Sequence, residues 1–173
     1  MDDREPGGFA TRYGPRALIL GGSEGIGASF AGQLAARGLD LTLVARNRAP
    51  LEATAEAVRK AHGVDVETRT LGLTDPAIER HIEALFAERE FGLLVYNAGA
   101  VHGVGLFLEQ PVEQALSLVR LNCMGPLLFA HRGLSAMRAR ERGGLILLSS
   151  MSALAGSGYV ATYAAVKSFE IVL

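Results

Sequence analysis

Short apolar runs alternate with longer alanine- and leucine-rich segments along most of this chain, and that alternation restricts the possible folds more than any other feature. The runs are "RALIL", "DLTLVA", "VETRTL", "GLLVYN" and "GGLILLSS". Several are almost continuously apolar, as expected for strands that helices cover on both faces. The segments between them carry apolar residues three and four positions apart, which indicates helices. The pattern predicts an α/β fold with a doubly wound parallel sheet and helices on both faces.

Glycine and proline mark the ends of the predicted helices. Gly38 and Gly63 stand where a C-terminal glycine belongs, and Asp75 followed by Pro76 is typical of an N-cap and a first helical residue. Pro111 opens a segment, "PVEQALSLVRLNCMGPLLFAHRGLSAMRARER", that the pattern predicts to be one long helix.

Length and composition favour a single domain that binds a small molecule. The 173 residues carry 17 basic and 18 acidic side chains, so no excess charge attracts nucleic acid or an anionic membrane. The one cysteine allows no internal disulfide, the four histidines are too widely spaced for a local metal motif, and no apolar run approaches the length of a membrane span. We expect a cytoplasmic protein without metal, with a flexible tail at residues 1–13 and one folded domain at residues 14–173.

The first predicted strand is followed at once by "GGSEGIG" and then by a helix. In a strand-turn-helix unit, Gly21 permits a sharp turn, Gly25 lets the backbone approach a pyrophosphate, and Gly27 lets the helix pack closely on the strand. The helix N-terminus then offers free N–H groups to a phosphate. We therefore predict that Ser23, Glu24 and Ile26 also contact a dinucleotide. The alternative is a glycine-rich turn without a ligand.

These motifs together resemble the classical short-chain dehydrogenase/reductase family over about residues 12–173. The glycine spacing G-x-x-x-G-x-G, the "YNAGA" that follows the fourth strand, and "YAAVK" near the end all match that family. The resemblance implies a Rossmann-type sheet and places Asn97, Ala98 and Gly99 along the cofactor.

The end of the second predicted strand, "LVARNR", indicates the choice of cofactor. Arg46, with Arg48 as a second candidate, stands where enzymes that bind NAD carry a carboxylate for the ribose hydroxyl. A guanidinium pairs well with the 2'-phosphate of NADP, and Ser23 offers a hydroxyl to the same group. We predict a preference for NADP(H) over NAD(H). Two solvated arginines that open a helix are the alternative.

The resemblance implies four catalytic residues. Tyr163 and Lys167 lie four residues apart and therefore on one face of a helix. In the family, the tyrosine is the general acid or base, and the lysine lowers the tyrosine pKa and binds the nicotinamide ribose. Ser150, thirteen residues before the tyrosine, would hydrogen-bond the substrate oxygen, with its neighbour Ser149 the less favoured candidate. Asn122, a polar residue in an otherwise apolar helix, would hold a water in a proton relay. The alternative is that its amide only satisfies a neighbouring backbone carbonyl.

Three departures from the family pattern qualify the prediction. Tyr96 replaces an asparagine before the N-A-G motif, and Gly72 replaces an aspartate that reaches the adenine in the family. The chain also ends inside the catalytic helix, so we expect the C-terminal strands of the usual fold to be absent and favour an incomplete version of a longer protein.

The resemblance is strongest to the branch that reduces 3-oxoacyl-CoA and 17-ketosteroid substrates. It implies a ketone or secondary alcohol on a small hydrophobic or acyl-thioester substrate, and a homodimer or homotetramer formed through the Asn122 and Tyr163 helices. The rival hypothesis is a dinucleotide-binding protein without catalysis, with a redox-sensing or scaffolding role, or an inactive fragment.

Overall fold

A computed structural model describes residues 8–100 and 103–173, and its strands form a parallel sheet in the order β3-β2-β1-β4-β5. All four strand pairs are parallel. The strands are β1 (Arg16–Leu20), β2 (Asp40–Ala45), β3 (Val66–Thr70), β4 (Leu93–Tyr96) and β5 (Gly144–Leu147). They coincide with the five apolar runs, so the predicted Rossmann-type α/β fold is confirmed.

Helices follow each strand and cover both faces of the sheet. They are α1 (Phe9–Tyr13), α2 (Gly25–Ala35), α3 (Arg48–His62), α4 (Ile78–Glu88), α5 (Val112–Val119), α6 (Gly125–Arg140) and α7 (Ala161–Val172). Short 3₁₀ turns occur at Phe107–Glu109, Met151–Ala153 and Gly158–Val160. None of the helices in the described part of the chain is long and apolar enough to cross a bilayer.

The central strand β1 divides the core into two halves. Successive side chains of a strand point to opposite faces, so Ala17 and Ile19 join the cluster that α2 and α3 cover, while Leu18 and Leu20 join the cluster beneath α4 and α6. All four side chains are fully buried. Burial of each leucine or isoleucine contributes about 1.5–3 kcal/mol to folding.

The N-terminal helix α1 corrects the predicted flexible tail. Phe9 and Tyr13 pack against the core cluster on the α2 side, and their rings lie 4.8 Å apart. The Arg37 guanidinium covers the Phe9 ring at 4.8 Å. Apolar burial therefore outweighs the local glycine and proline content from residue 9 onward. The remainder of the predicted tail, residues 1–7, lies outside the described residues.

Two predicted helix boundaries also differ from the structure. The segment predicted as one long helix is interrupted by a π-helical segment, Arg120–Met124, between α5 and α6. In addition, α4 begins at Ile78 rather than at Pro76, because the Asp75 side chain caps a turn by accepting a hydrogen bond from Ala77 N at 2.7 Å.

The strand order creates the place where a ligand can bind. The chain runs from β1 outward to β3 and then crosses back to β4, which pairs with the other side of β1. The loops after β1 and β4 therefore leave the sheet in opposite directions and open a crevice at their carboxyl ends. At the far side, the sheet of the described residues ends at β5, whose residues are all partly exposed.

Candidate dinucleotide site and catalytic residues

The glycine turn after β1 is locked against the loop after β4. Gly21 has a φ of 86°, and a Cβ at this position would lie 2.7 Å from Ala98 N. A Cβ at Gly27 would overlap the Gly21 carbonyl oxygen and lie 2.7 Å from Asn97 Nδ2. Asn97 Nδ2 donates a hydrogen bond to that same carbonyl oxygen at 2.8 Å. Two of the three motif glycines are thus required by the packing of the protein on itself.

The third glycine faces open space. Gly25 has a φ of 54°, and a Cβ there would meet no atom within 4 Å. It is the first residue of α2, and the preceding Glu24 makes no side-chain cap. The first N–H groups of α2 are therefore free to bind an anion. Neither the turn nor the helix needs a small residue here for internal packing, so the space is suited to a ligand that approaches the backbone.

A cavity of about 290 Å³ lies over the crevice between β1 and β4. Most of the predicted cofactor residues line it. They are Gly21, Ser23, Glu24, Arg46, Asn97, Ala98 and Gly99, joined by Gly72, Ser117 and Leu121 among others. The predicted contacts Gly25, Ile26 and Gly27 are not in the lining: Gly27 is buried behind the turn, whereas Ile26 is 63% exposed.

The end of β2 presents one arginine to this cavity. Arg46 and Asn47 line it, whereas Arg48 begins α3 and is not in the lining. The Thr54 hydroxyl donates a hydrogen bond to the Ser23 carbonyl oxygen at 2.6 Å and so ties α3 to the glycine turn. Thr54 was missed in the sequence, because nothing local distinguishes it from an ordinary helical threonine.

Asn122 lies inside the π-helical segment and is fully buried. Its Nδ2 donates to the Leu118 carbonyl oxygen at 3.0 Å, but its buried Oδ1 has no hydrogen-bond partner. The Tyr96 hydroxyl donates to the carbonyl oxygen of the preceding residue, Leu121, at 2.6 Å. The tyrosine that departs from the family pattern therefore anchors the segment that carries Asn122.

Lys167 reaches the same place from α7. Its Nζ donates to the Leu148 carbonyl oxygen at 2.8 Å and to the two Glu170 carboxylate oxygens at 3.0 and 2.8 Å. A Cβ on Gly99 would lie 3.0 Å from Lys167 Nζ and 3.3 Å from Asn122 Oδ1. The structure thus brings Lys167 and Asn122 together behind Gly99, at the wall of the cavity.

The two serines after β5 have different partners. Ser149 donates its hydroxyl to the Lys167 carbonyl oxygen at 2.6 Å, which fixes α7 to the end of the strand. Ser150 Oγ accepts hydrogen bonds from Ser152 N at 3.3 Å and from Ser152 Oγ at 2.9 Å. Ser150 acts only as acceptor in these bonds, so its own O–H is available to a substrate.

Tyr163 opens toward a second cavity, of about 210 Å³, next to the 3₁₀ turns. Phe107, Leu108, Leu118 and Tyr159 contribute apolar atoms to its wall, and Gln110 and Gln114 contribute amides. Tyr163 and Lys167 lie four positions apart on α7, so both project from one face of the helix. The tyrosine thus stands between an apolar cavity and a buried ammonium.

Glu170 is a site residue that the sequence analysis missed. Its side chain is fully buried beside Lys167, and burial raises the pKa of its carboxyl, while the hydrogen bond from Lys167 lowers it in part. The spacing of three residues was visible in the sequence, but such pairs on helices are usually solvent-exposed. Within residues 8–100 and 103–173, no group of three or more histidine, cysteine or acidic side chains is placed to hold a metal ion.

A family model described as short chain dehydrogenase matches residues 15–173. The chain belongs to the short-chain dehydrogenase family. The strand order, the glycine turn and the crevice described above are therefore those of a short-chain dehydrogenase.

Two similar proteins illustrate the activities found among the relatives. A very-long-chain 3-oxoacyl-CoA reductase from Pyrenophora tritici-repentis is 30% identical over 172 residues, which is 95% of this chain and 50% of that protein. A 7beta-hydroxysteroid dehydrogenase from Collinsella aerofaciens is 28% identical over 158 residues, 91% of this chain and 60% of that protein. The chain spans about half the length of the fungal reductases that it matches.

Solved structures agree with the fold. A short-chain dehydrogenase from Sphingobium yanoikuyae in complex with NADPH superimposes with a TM-score of 0.85 at 33% identity, over 91% of this chain and 62% of that one. A 7beta-hydroxysteroid dehydrogenase structure gives a TM-score of 0.87 at 28% identity, over 92% of this chain and 61% of that one.

Proposed function

We propose that this short-chain dehydrogenase binds NADP(H) and interconverts a ketone and a secondary alcohol, with Tyr163 as the general acid and base. The observation that carries the proposal is that α7 lies behind one cavity and lines a second. One lies over the glycine turn and is backed by Lys167 and Asn122 at Gly99. The other is mostly apolar and is lined by Tyr163.

The cofactor would lie in the 290 Å³ cavity. The site fits a dinucleotide, because Arg46 in the cavity lining offers a guanidinium at the end of β2, and the neighbouring Gly25 leaves open backbone for a pyrophosphate. Bound there, a nicotinamide dinucleotide supplies hydride for reduction or accepts it in oxidation.

Side chains of this protein would then donate the proton to the substrate and return it to Tyr163. In the reduction direction, the Tyr163 hydroxyl donates its proton to the carbonyl oxygen, and the free O–H of Ser150 stabilises that oxygen. The positive charge of Lys167 favours the phenolate that remains. Asn122 Oδ1, a buried acceptor without a partner, is suited to hold a water that returns the proton.

The cofactor preference for NADP(H) rests on Arg46. A charge-assisted hydrogen bond to the 2'-phosphate is worth about 1.5–3 kcal/mol, and solvent exposure of Arg46 places it toward the lower end of that range. We therefore expect Arg46→Ala to weaken NADPH binding roughly tenfold without changing NADH binding. Arg48→Ala is the matched control and should leave both affinities unchanged. Equal loss for NADPH and NADH in Arg46→Ala would refute the preference.

The substrate class follows from the second cavity and from the relatives. Its apolar wall favours a small hydrophobic or acyl-thioester ketone over a charged sugar. The named relatives include reductases of 3-oxoacyl-CoA and dehydrogenases of hydroxysteroids. The single cysteine, which allows no internal disulfide, supports a cytoplasmic setting.

We also propose a homodimer or homotetramer formed through α5, α6 and α7. Large apolar side chains are exposed along α5 and α6, among them Val112 (62%), Leu116 (48%), Leu127 (47%) and Leu134 (45%). Val112 and Leu116 are four residues apart on α5, and Leu127 and Leu134 are seven residues apart on α6. Each pair therefore lies on one side of its helix, as expected for a face that packs against another helix.

The test of catalysis compares the chain with Tyr163→Phe in NADPH oxidation against 3-oxoacyl thioesters, ketosteroids and aromatic ketones. We expect turnover in the first and a loss of at least about 100-fold in the variant, with NADPH binding retained. The rival function is dinucleotide binding without catalysis. It is favoured because all three N–H donors of Lys167 are already bonded to protein acceptors, which leaves none for the cofactor ribose. NADPH binding without turnover on any ketone would support that rival.

A further inference from the structure

The ion pair between Lys167 and Glu170 is the most deeply buried charge pair that the structure describes. The two side chains are 4% and 0% exposed, respectively. An ammonium has three N–H donors. The Leu148 carbonyl oxygen and the two Glu170 oxygens take all three, at 2.8 to 3.0 Å. Lys167 therefore has no free donor in this arrangement.

The surroundings of Glu170 offer its charge little other support. From elements packed against α7, the titratable groups that interact with it are Tyr96 on β4 and Cys123 in the π-helical segment. Burial raises the pKa of both groups, so both are neutral at pH 7. Tyr163, one turn before Lys167 on the same helix, is an uncharged phenol in its acid form. The charge of the Glu170 carboxylate is thus balanced mainly by Lys167.

Lys167 can take a new acceptor only by giving up a present one. The Leu148 carbonyl belongs to the backbone at the end of β5 and is held by the sheet, since the adjacent Leu148 N bonds to the Tyr96 carbonyl oxygen at 3.0 Å. The Glu170 side chain is the partner with rotatable bonds. A hydroxyl group of the nicotinamide ribose would therefore displace one or both carboxylate oxygens from the ammonium.

A carboxylate that loses its donors in a buried site is costly. An ionised carboxylate without compensating hydrogen bonds takes up a proton rather than remain charged in an apolar environment. One proton from solvent would form an O–H bond on Glu170, while Lys167 keeps its charge for the ribose and for Tyr163. The exchange needs no oxidant, reductant or other reactant.

We propose that Glu170 is a positioning residue that holds Lys167 in the free protein and takes up a proton when the dinucleotide engages Lys167. The inference rests on the proposed function, because it requires the dinucleotide to reach Lys167. It adds to that function a coupling between cofactor binding and pH that is set by one residue of α7.

The linkage has a definite sign. Protonation of Glu170 accompanies binding, so NADPH affinity falls as pH rises, by up to tenfold per pH unit. The fall occurs between the pKa of Glu170 in the free protein and its higher pKa in the complex. Below that window the carboxyl is protonated in both states, and above it in neither.

The test is calorimetric titration of the chain with NADPH in two buffers of different ionisation enthalpy across this pH range. We expect net proton uptake in the wild type that is lost in Glu170→Gln, whose amide is neutral at every pH. Glu79→Gln removes an exposed carboxylate of α4 and is the control, with uptake unchanged. The difference between variants separates Glu170 from any proton exchange at the NADPH phosphate.

An infrared difference spectrum of the wild type with and without NADPH tests the same idea if Glu170→Gln does not fold. A protonated carboxyl band that appears on binding supports the proposal, and its absence overturns it. NADPH binding with equal proton uptake in wild type and Glu170→Gln overturns the inference and leaves the proposed function intact. A wild-type chain that binds neither NADPH nor NADH overturns both.

Discussion

Gly27 and Gly32 lie on the same helix, α2, and the same substitution at each should change stability in opposite directions. A Cβ at Gly32 would meet no atom within 4 Å. Alanine there stabilises the helix by about 0.5–1 kcal/mol, because glycine loses more backbone entropy on folding. Gly27→Ala gains the same helix propensity, but its Cβ would overlap the Gly21 carbonyl oxygen.

The net cost at Gly27 follows from three contributions. Overpacking against fixed backbone costs about 1–3 kcal/mol. Loss of the hydrogen bond from Asn97 to Gly21 costs about 0.5–1.5 kcal/mol more. The helix propensity gain offsets up to about 1 kcal/mol of that. We therefore expect Gly27→Ala to lower the free energy of unfolding by about 0.5–4 kcal/mol.

Urea unfolding of the two variants beside the wild type measures the effect. The midpoint should rise for Gly32→Ala and fall for Gly27→Ala, with the slope unchanged in both. Gly27→Ala should also weaken NADPH binding, because the overlap pushes the glycine turn away from the loop after β4. Equal shifts of the two midpoints would refute the argument that close packing, rather than ligand contact, requires a glycine at position 27.

Two further predictions concern Tyr96 and the ion pair between Lys167 and Glu170. Tyr96→Phe should destabilise the fold by about 1–3 kcal/mol, because the Leu121 carbonyl loses its buried donor. Thermal or urea unfolding measures the change, and a value below about 0.5 kcal/mol would contradict it. Lys167→Met leaves the Glu170 carboxylate buried and unpaired, which should cost about 3–5 kcal/mol at neutral pH. Burial without the lysine raises the folded-state pKa of Glu170 above its unfolded value, so stability is retained below the unfolded pKa and lost as pH rises through the folded pKa. Adding Glu170→Leu should restore most of the stability and remove its pH dependence; a double variant no more stable than Lys167→Met would show that the ion pair is not the cause.

The buried pair of Lys167 and Glu170 would couple cofactor binding to the protonation of Glu170. In the absence of a ligand, Glu170 holds the Lys167 ammonium behind Gly99. Replacement of the carboxylate by ribose hydroxyls would transfer Lys167 donors from the protein to the cofactor.

Local sequence features were sufficient to predict most of the candidate cofactor site. Four of the five runs that became strands are mostly apolar, and hydrophobic period separates them from the helices. The run that became β3 has one apolar residue, Val66. The glycine turn was predictable because its glycine spacing between a strand and a helix is a local pattern. The contacts that Gly21 and Gly27 make with Ala98 and Asn97 come from the distant loop after β4. Arg46 followed from its place at the end of a strand. The structure places Ser23, Arg46 and Asn97 in the lining of one cavity.

Features that depend on distant segments were not predictable in this way. The helix α1 has the composition of a tail, and only the core surface beneath Phe9 and Tyr13 makes it a packed helix. The π-helical segment interrupts an otherwise regular helical pattern, and the Tyr96 hydroxyl, 25 residues away from Leu121, anchors it.

The sequence by itself determined the α/β architecture, the position of the glycine turn and the spacing of Tyr163 and Lys167, because each of these depends on local period, turn chemistry or helix geometry. Only the tertiary structure decided that Glu170 is buried, that it takes two of the three Lys167 donors, and that Lys167 and Asn122 meet at Gly99. The physical reason is that burial and hydrogen-bond competition are set by which surfaces cover a side chain. The surfaces packed against α7 include α5 and the π-helical segment, which are far from α7 along the chain.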